Sequence, residues 1–171
     1  MKRSVPVVLT VLLAFYLIGR LNASNSLTNS TKIDKLVVVK SERRLMAYSG
    51  GKLVKTYRIS LGKKPVGDKQ FEGDNKTPEG LYTINDKNPH SGYHRNLGVS
   101  YPNASDRREA ARLGKSVGGS IKIHGLPNKA PFLGKLHLLY DWTAGCMAVT
   151  NEEIEELYNS VAIGTPIEIK P

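Results

Sequence analysis

Turn signals cut this chain into short β-prone runs, and that spacing leaves room for little except a strand-rich domain. Residues 36–40 and 45–48 are two such runs, and Ser49-Gly50-Gly51-Lys52 separates the second from a third at 53–61. Short alternating runs joined by Gly-containing turns predict an antiparallel meander. Thr77-Pro78-Glu79-Gly80 puts Pro second and Gly fourth, the pattern of a type I turn, directly before the alternating Leu81-Tyr82-Thr83-Ile84. Further strands are expected at 97–101, 121–124, 146–149 and 166–169. Two helices are expected. Residues 106–113 are rich in Arg, Glu and Ala, and Thr150-Asn151-Glu152-Glu153 reads as a capping box. Behind that box Ile154, Leu157, Tyr158 and Val161 recur on one helical face until Gly164 stops it. The expected class is mainly β, a β-rich α+β domain.

The start of the chain predicts export. Lys2 and Arg3 precede residues 5–18, which are apolar apart from Pro6 and Thr10. A short positive start before a short apolar run is a signal-peptide pattern, and Ala23 and Ser24 offer a cleavage point. An uncleaved anchor is the alternative, for which the run is short, since a comfortable span takes about 20 apolar residues. The organisation expected is a signal peptide or anchor over 1–23, a polar linker over 24–32 and one domain over 33–171. The destination is the cell envelope, in the periplasm or the wall. A monomer is the favoured state.

Net charge is +10, or +7 without Lys2, Arg3 and Arg20 of the leader. An excess of that size draws in anionic polymers, and for an exported protein those are wall polymers and lipid headgroups; it also keeps a protein soluble. Nucleic acid is not an expected partner. The basic residues Arg43, Arg44, Lys63, Lys64, Arg107 and Arg108 are scattered and lack the aromatic interleaving of single-strand platforms.

The single cysteine, Cys146, poses a sharper question. An exported chain with one thiol cannot close a disulfide on itself, so this sulfur is core filler, an intermolecular bridge or a nucleophile. A nucleophilic thiol needs a base or a positive charge beside it, and an activated one titrates below the ordinary range. Of the four histidines, His124 ends the run Ile121-Lys122-Ile123 and precedes Gly125, so its ring can sit at a sheet edge with one nitrogen on a main-chain carbonyl. His137 lies in the apolar stretch 136–140 and reads as a packed residue. His90 and His94 lie in a loop-like stretch with access to substrate. Gly145 allows a carbonyl to approach main-chain N–H groups. A zinc site built from Cys146, His124 and His137 lacks the fourth ligand and the paired spacing that structural zinc wants. No metal or organic cofactor is expected. Spacing alone leaves the catalytic and the structural cysteine both open.

His124-Gly125 and Thr143-Ala144-Gly145-Cys146, preceded by Thr77-Pro78-Glu79-Gly80-Leu81-Tyr82, resemble the L,D-transpeptidase catalytic domain of the YkuD type over residues 33–171. Asn88-Pro89-His90-Ser91-Gly92-Tyr93-His94 with Ser100-Tyr101-Pro102-Asn103 is similar to its YafK-like branch. The resemblance implies a β-sandwich or barrel with two or three short helices. It also implies Cys146 as nucleophile, His124 as general base, the Gly125 carbonyl as the group orienting the ring, and Gly145 with Cys146 as oxyanion donors. The implied reaction is acyl transfer through a thioester on peptidoglycan stem peptides, in cross-linking or remodelling of the wall. The acceptor is an amine of a neighbouring stem, a lysine of a wall-attached protein, or water, which would make the enzyme an L,D-carboxypeptidase.

Three departures from the family pattern stand out. Ala144 replaces the usual histidine, the stretch between His124 and Thr143 is lengthened into a loop through Pro127, Pro131 and Gly134, and Met147-Ala148-Val149 lacks the usual arginine. Recognition of a substrate carboxylate then falls to Arg95 and Lys122, with Thr143 as a further contact. Ala144 also leaves open a noncatalytic wall-binding module on the same fold.

Overall fold

The computed structural model describes Leu27 and residues 31–171. The leader expected over 1–23 and most of the 24–32 linker lie outside the described residues. Leu27 packs against the core. Among the described residues no helix is long and apolar enough to cross a membrane.

The strands are β1 (Lys35–Val39), β2 (Arg44–Ser49), β3 (Lys52–Arg58), β4 (Gly80–Ser91), β5 (His94–Val99), β6 (Lys122–His124), β7 (Met147–Ala148) and β8 (Pro166–Lys170). They form one sheet in the order β3-β2-β1-β8-β4-β5-β6-β7. Neighbours are antiparallel except β1 with β8 and β6 with β7. The chain beyond β3 returns alongside the opposite edge. Ser60 and Ala148 exchange N–H···O bonds of 3.0 and 2.9 Å, and Thr143 N–H donates to the Leu61 carbonyl at 3.1 Å. The sheet therefore curls until its edges meet, which satisfies main-chain groups that an open edge would expose. A mainly β fold follows, as expected, with helices α1 (Ala104–Arg112) and α2 (Asn151–Ser160) and a 3-10 helix over Pro131–Leu139.

Every second residue of the central strands enters the core, as a pleated strand requires. Leu36 and Val38 of β1, Leu45 and Ala47 of β2, and Ile167 and Ile169 of β8 are all buried. Helix α2 begins at the expected box: Thr150 Oγ1 accepts from Glu153 N–H at 3.3 Å and Glu153 Oε2 accepts from Thr150 N–H at 2.9 Å. Its face of Ile154 and Leu157 closes the core, and Val161 is buried just past the last turn. The helix ends at Ser160, ahead of Gly164. Helix α1 carries a capping box as well, in which Asn103 Oδ1 accepts from Asp106 N–H at 3.1 Å.

Three local expectations are corrected. Strand β4 continues to Ser91, so His90 and His94 belong to a long β-hairpin, not a loop. Pro89 is accommodated because the ladder shifts register between Asn88 and Ser91, where no donor is demanded of it. Thr77–Glu79 is not a turn: its bonds run to distant groups, with Thr77 Oγ1 accepting from Gly62 N–H at 3.0 Å and the Thr77 carbonyl accepting from Lys40 Nζ at 2.9 Å. The lengthened stretch after Gly125 is largely a 3-10 helix, kinked at Gly134, where φ is 44° and ψ is −131°.

Candidate active site

Strands β6 and β7 run parallel in a register that sets Ile123 against Met147 and His124 against Ala148. Ile123 and Met147 are fully buried in the core. Side chains one position away point to the opposite face, so His124 and Cys146 both turn outward. They line one cleft of about 520 Å3, together with Tyr93, Asn96, Lys122 and Trp142.

The imidazole is held on three sides. Its Nδ1 lies 2.7 Å from the Gly125 carbonyl. A carbonyl only accepts, so the proton sits on Nδ1 and Nε2 is left as the basic nitrogen. The Tyr93 ring lies 4.6 Å away, centroid to centroid, and the Trp142 indole meets the imidazole edge-on at 5.6 Å. Gly125 is required by its neighbours: a Cβ there would come within 2.7 Å of Asn151 Oδ1 and 3.0 Å of Ile154 Cγ2.

Cys146 is held by a turn that threonine closes. Thr143 Oγ1 accepts from Gly145 N–H at 3.0 Å and donates to the Cys146 carbonyl at 2.7 Å. Gly145 has φ of +134°, and a Cβ there would lie 2.6 Å from the Lys76 carbonyl. The loop bearing Lys76 is stapled by the buried pair Lys69–Asp74 at 2.7 Å, so the turn leans on a fixed wall. The thiol is within 3.5 Å of the Ser120 carbonyl. Burial pushes the thiol above its ordinary range, against the pull of the Lys122 main-chain N–H and the Lys122 and Lys69 charges. Burial likewise lowers His124, opposed by its Gly125 bond and reinforced by the Lys122 charge. Desolvation thus favours the neutral form of both groups in the resting cleft.

The stretch of chain that builds this cleft matches a known domain. The L,D-transpeptidase catalytic domain, YkuD, matches residues 34–169. This chain belongs to the YkuD family. It is 30% identical over 159 residues to YafK of Escherichia coli K12, whose L,D-transpeptidase name is itself provisional, and the alignment covers 84% of this chain and 56% of YafK. Among solved structures it is similar to Pgp2 of Campylobacter jejuni, a helical cell shape determining protein, with TM-score 0.61, 28% identity and coverage of 83% of this chain and 49% of Pgp2. It is also similar to Bd1075 of Bdellovibrio bacteriovorus, with TM-score 0.56, 25% identity and coverage of 85% and 50%. The chain thus spans about half the length of the relatives it matches.

Within this YkuD domain the remaining sequence candidates separate. Lys122 lines the cleft, with Asp86 at 3.9 Å. Thr143 lines it too, with its hydroxyl committed to the turn. Arg95 faces α2 instead, bonding Glu155 at 2.9 Å and lying over the Tyr158 ring at 4.7 Å. His94 shares Glu155, at 2.7 Å, whereas His90 lines the cleft. His137 is buried behind Trp142, whose Nε1 reaches its Nδ1 at 3.5 Å, so it does not stand in for the ring missing at Ala144. Burial, with the nearby His124 adding to it, lowers His137 to about 4. Ala144 is exposed on the cleft wall. Among the described residues no three His, Cys, Asp or Glu side chains gather as a metal site.

Sequence reasoning missed Trp142, Tyr93 and Asn96. Trp142 is the only tryptophan of the chain and lies four residues before Cys146, which is a usable signal. Tyr93 sits in a hairpin turn that only the structure reveals, and Asn96 is one asparagine among several.

Proposed function

We propose that this YkuD domain is a cysteine-dependent acyltransferase acting on peptidoglycan stem peptides in the cell envelope, where it cross-links or remodels the wall. The carrying observation is the shared cleft: His124, with Nδ1 fixed and Nε2 basic, and Cys146 open into it from adjacent strands.

His124 Nε2 takes the thiol proton as Cys146 Sγ attacks the carbonyl of the L-centre of a diamino acid, forming a C–S bond and an oxyanion. Both groups start neutral, so charge appears only as the bond forms. Gly145 N–H is engaged by Thr143. We therefore assign the oxyanion first to the Cys146 N–H. This revises the role expected of Gly145, whose part is to let the turn close and the substrate approach. The tetrahedral species collapses with cleavage of the C–N bond, and the terminal D-residue leaves as an amine with the proton from the His124 imidazolium. An amine from a neighbouring stem then attacks the thioester, gives a proton to His124 and releases the thiol. Water or a lysine of a wall-attached protein are competing acceptors at the same thioester. Lys122 and Lys63 are cations on the cleft available to a substrate carboxylate. No metal or organic cofactor has a step in this scheme.

Incubation of the purified chain with muropeptides, with and without an amine acceptor, tests the proposal by mass analysis. Cross-linked products that depend on the amine support transfer, and stems trimmed by one D-residue support hydrolysis. Unaltered muropeptides bound by the protein would replace the reading with a wall-binding module.

A further inference from the structure

The sheet register lines up a row of side chains across the floor of the cleft. Asn88 of β4 stands opposite Asn96 of β5, and Asn96 stands opposite His124 of β6. Leu97 points wholly into the core, so its neighbour Asn96 shares the outward face with His124. Directly opposed residues on antiparallel strands have Cβ atoms about 4.5–5.5 Å apart, which makes the Asn96 carboxamide a lateral neighbour of the imidazole.

The two asparagines differ in one respect. Asn88 Oδ1 is occupied, accepting from His90 N–H at 2.8 Å. Asn96 is 4% exposed, and its Oδ1 is shut off from solvent with no hydrogen-bond partner. Burying an amide oxygen without a partner forfeits its hydration for no return, so such atoms are rare in folded proteins. At the wall of a cleft, the missing partner has a route by which to arrive.

We propose that Asn96 is a substrate-binding residue that hydrogen-bonds the peptide main chain of the acyl-donor stem beside the scissile bond. This deepens the acyl-transfer reading of Cys146 and His124 and rests on it. The class of ligand follows from the carboxamide itself. Its oxygen accepts from an N–H, its NH2 donates to a carbonyl, and a peptide amide presents both. The terminal torsion of an asparagine is soft and roughly two-fold, so the amide rotates to bring its oxygen to an incoming N–H. A stem anchored here is held one strand away from His124, which positions its carbonyl for the sulfur of Cys146. Asn96 is uncharged and takes no proton, so its effect falls on binding and alignment of the peptide and leaves the reactivity of the thiol alone.

The test separates those two effects. Asn96→Ala should lower kcat/KM for a tetrapeptide stem by about ten- to a hundredfold. Alkylation of Cys146 by iodoacetamide, which needs no peptide subsite, should stay within about twofold of wild type. A stem whose amide N–H next before the diamino acid is replaced by an ester oxygen should penalise wild type by a similar factor and N96A by little, because the bond is already gone. Asn96→Ser carries the same test if N96A does not fold, with a loss in the same direction. Wild-type kcat/KM in both variants, or an equal ester penalty in wild type and variant, would overturn the proposal while leaving acyl transfer intact. A wild-type protein that forms no acyl-enzyme with any stem would overturn the acyl-transfer reading and this proposal with it.

Discussion

The sheet uses the same pleat for opposite ends on its two sides. Around β1, β2 and β8, alternate residues fill the core and the outward positions satisfy one another, as where Lys35 and Lys170 flank Glu168 at 3.1 and 3.2 Å. Such exposed pairs add little stability, and the side is held by its apolar face. Around β5, β6 and β7 the inward face is just as apolar, with Leu97, Ile123 and Met147 fully buried. The outward face carries an imidazole flanked by aromatic rings, a thiol and an orphaned carboxamide. The first side leaves no outstanding chemistry, whereas the second keeps groups neutral and underused until a ligand arrives. A site of this kind is tolerated because the closed sheet beneath it is stable without it.

Substitutions should sort by side. Cys146→Ser is expected to lower turnover on stem peptides by about a thousandfold or more, because a hydroxyl is far less acidic than a thiol, with the melting temperature nearly unchanged. Product formation by mass spectrometry and a thermal melt check both halves of that statement. Leu36→Ala, on the other side, should cost about 2–5 kcal/mol of stability in a denaturant titration while turnover per folded molecule is kept.

Acid tests the boundary between the two regions. His137, with its Nε2 buried and unpartnered, is lowered to about 4 from a usual 6.5. The unfolded chain therefore binds a proton that the folded chain refuses between those values. Stability is full above about 6.5 and falls as pH drops through that window, by up to about 3 kcal/mol from this residue. Denaturant titrations from pH 7 to 4 should show the decline. His137→Phe should flatten it, with a remainder from His124, which burial shifts in the same direction. An unchanged slope in His137→Phe would mean that acid sensitivity arises elsewhere.

The smallest effect should come from the turn. Thr143→Val keeps the shape but loses the bonds to Gly145 N–H and the Cys146 carbonyl, and should lower turnover by about tenfold with about 1 kcal/mol of stability. A loss confined to stability would make Thr143 purely structural.

Much of the first side was legible in the sequence because burial leaves a period. The alternation of Ile167 and Ile169 needs nothing beyond local pattern, and the Thr150–Glu153 box is local as well. The second half of β4 was not legible, since Asn85 to Ser91 is polar and contains Pro89, and only its ladder with β5 makes it a strand. The site was partly legible. Cys146 and His124 stand out by scarcity and by an adjoining glycine, Gly145 before the cysteine and Gly125 after the histidine, but Arg95 is drawn away by Glu155 some 60 residues later. The buried carboxamide of Asn96 and the edge-on Trp142 depend on register between segments far apart in the chain, which no local pattern encodes.

The central claim is that Cys146 and His124 work as one unit in this cleft, and the acyl-enzyme is its most direct witness. Intact-mass spectrometry of the protein quenched in acid during reaction with a tetrapeptide stem should show one added acyl group. That group should map to Cys146, be missing in Cys146→Ser and be greatly reduced in His124→Ala. Turnover by Cys146→Ser near the wild-type rate, or the same acyl yield and rate in His124→Ala as in wild type, would contradict the account.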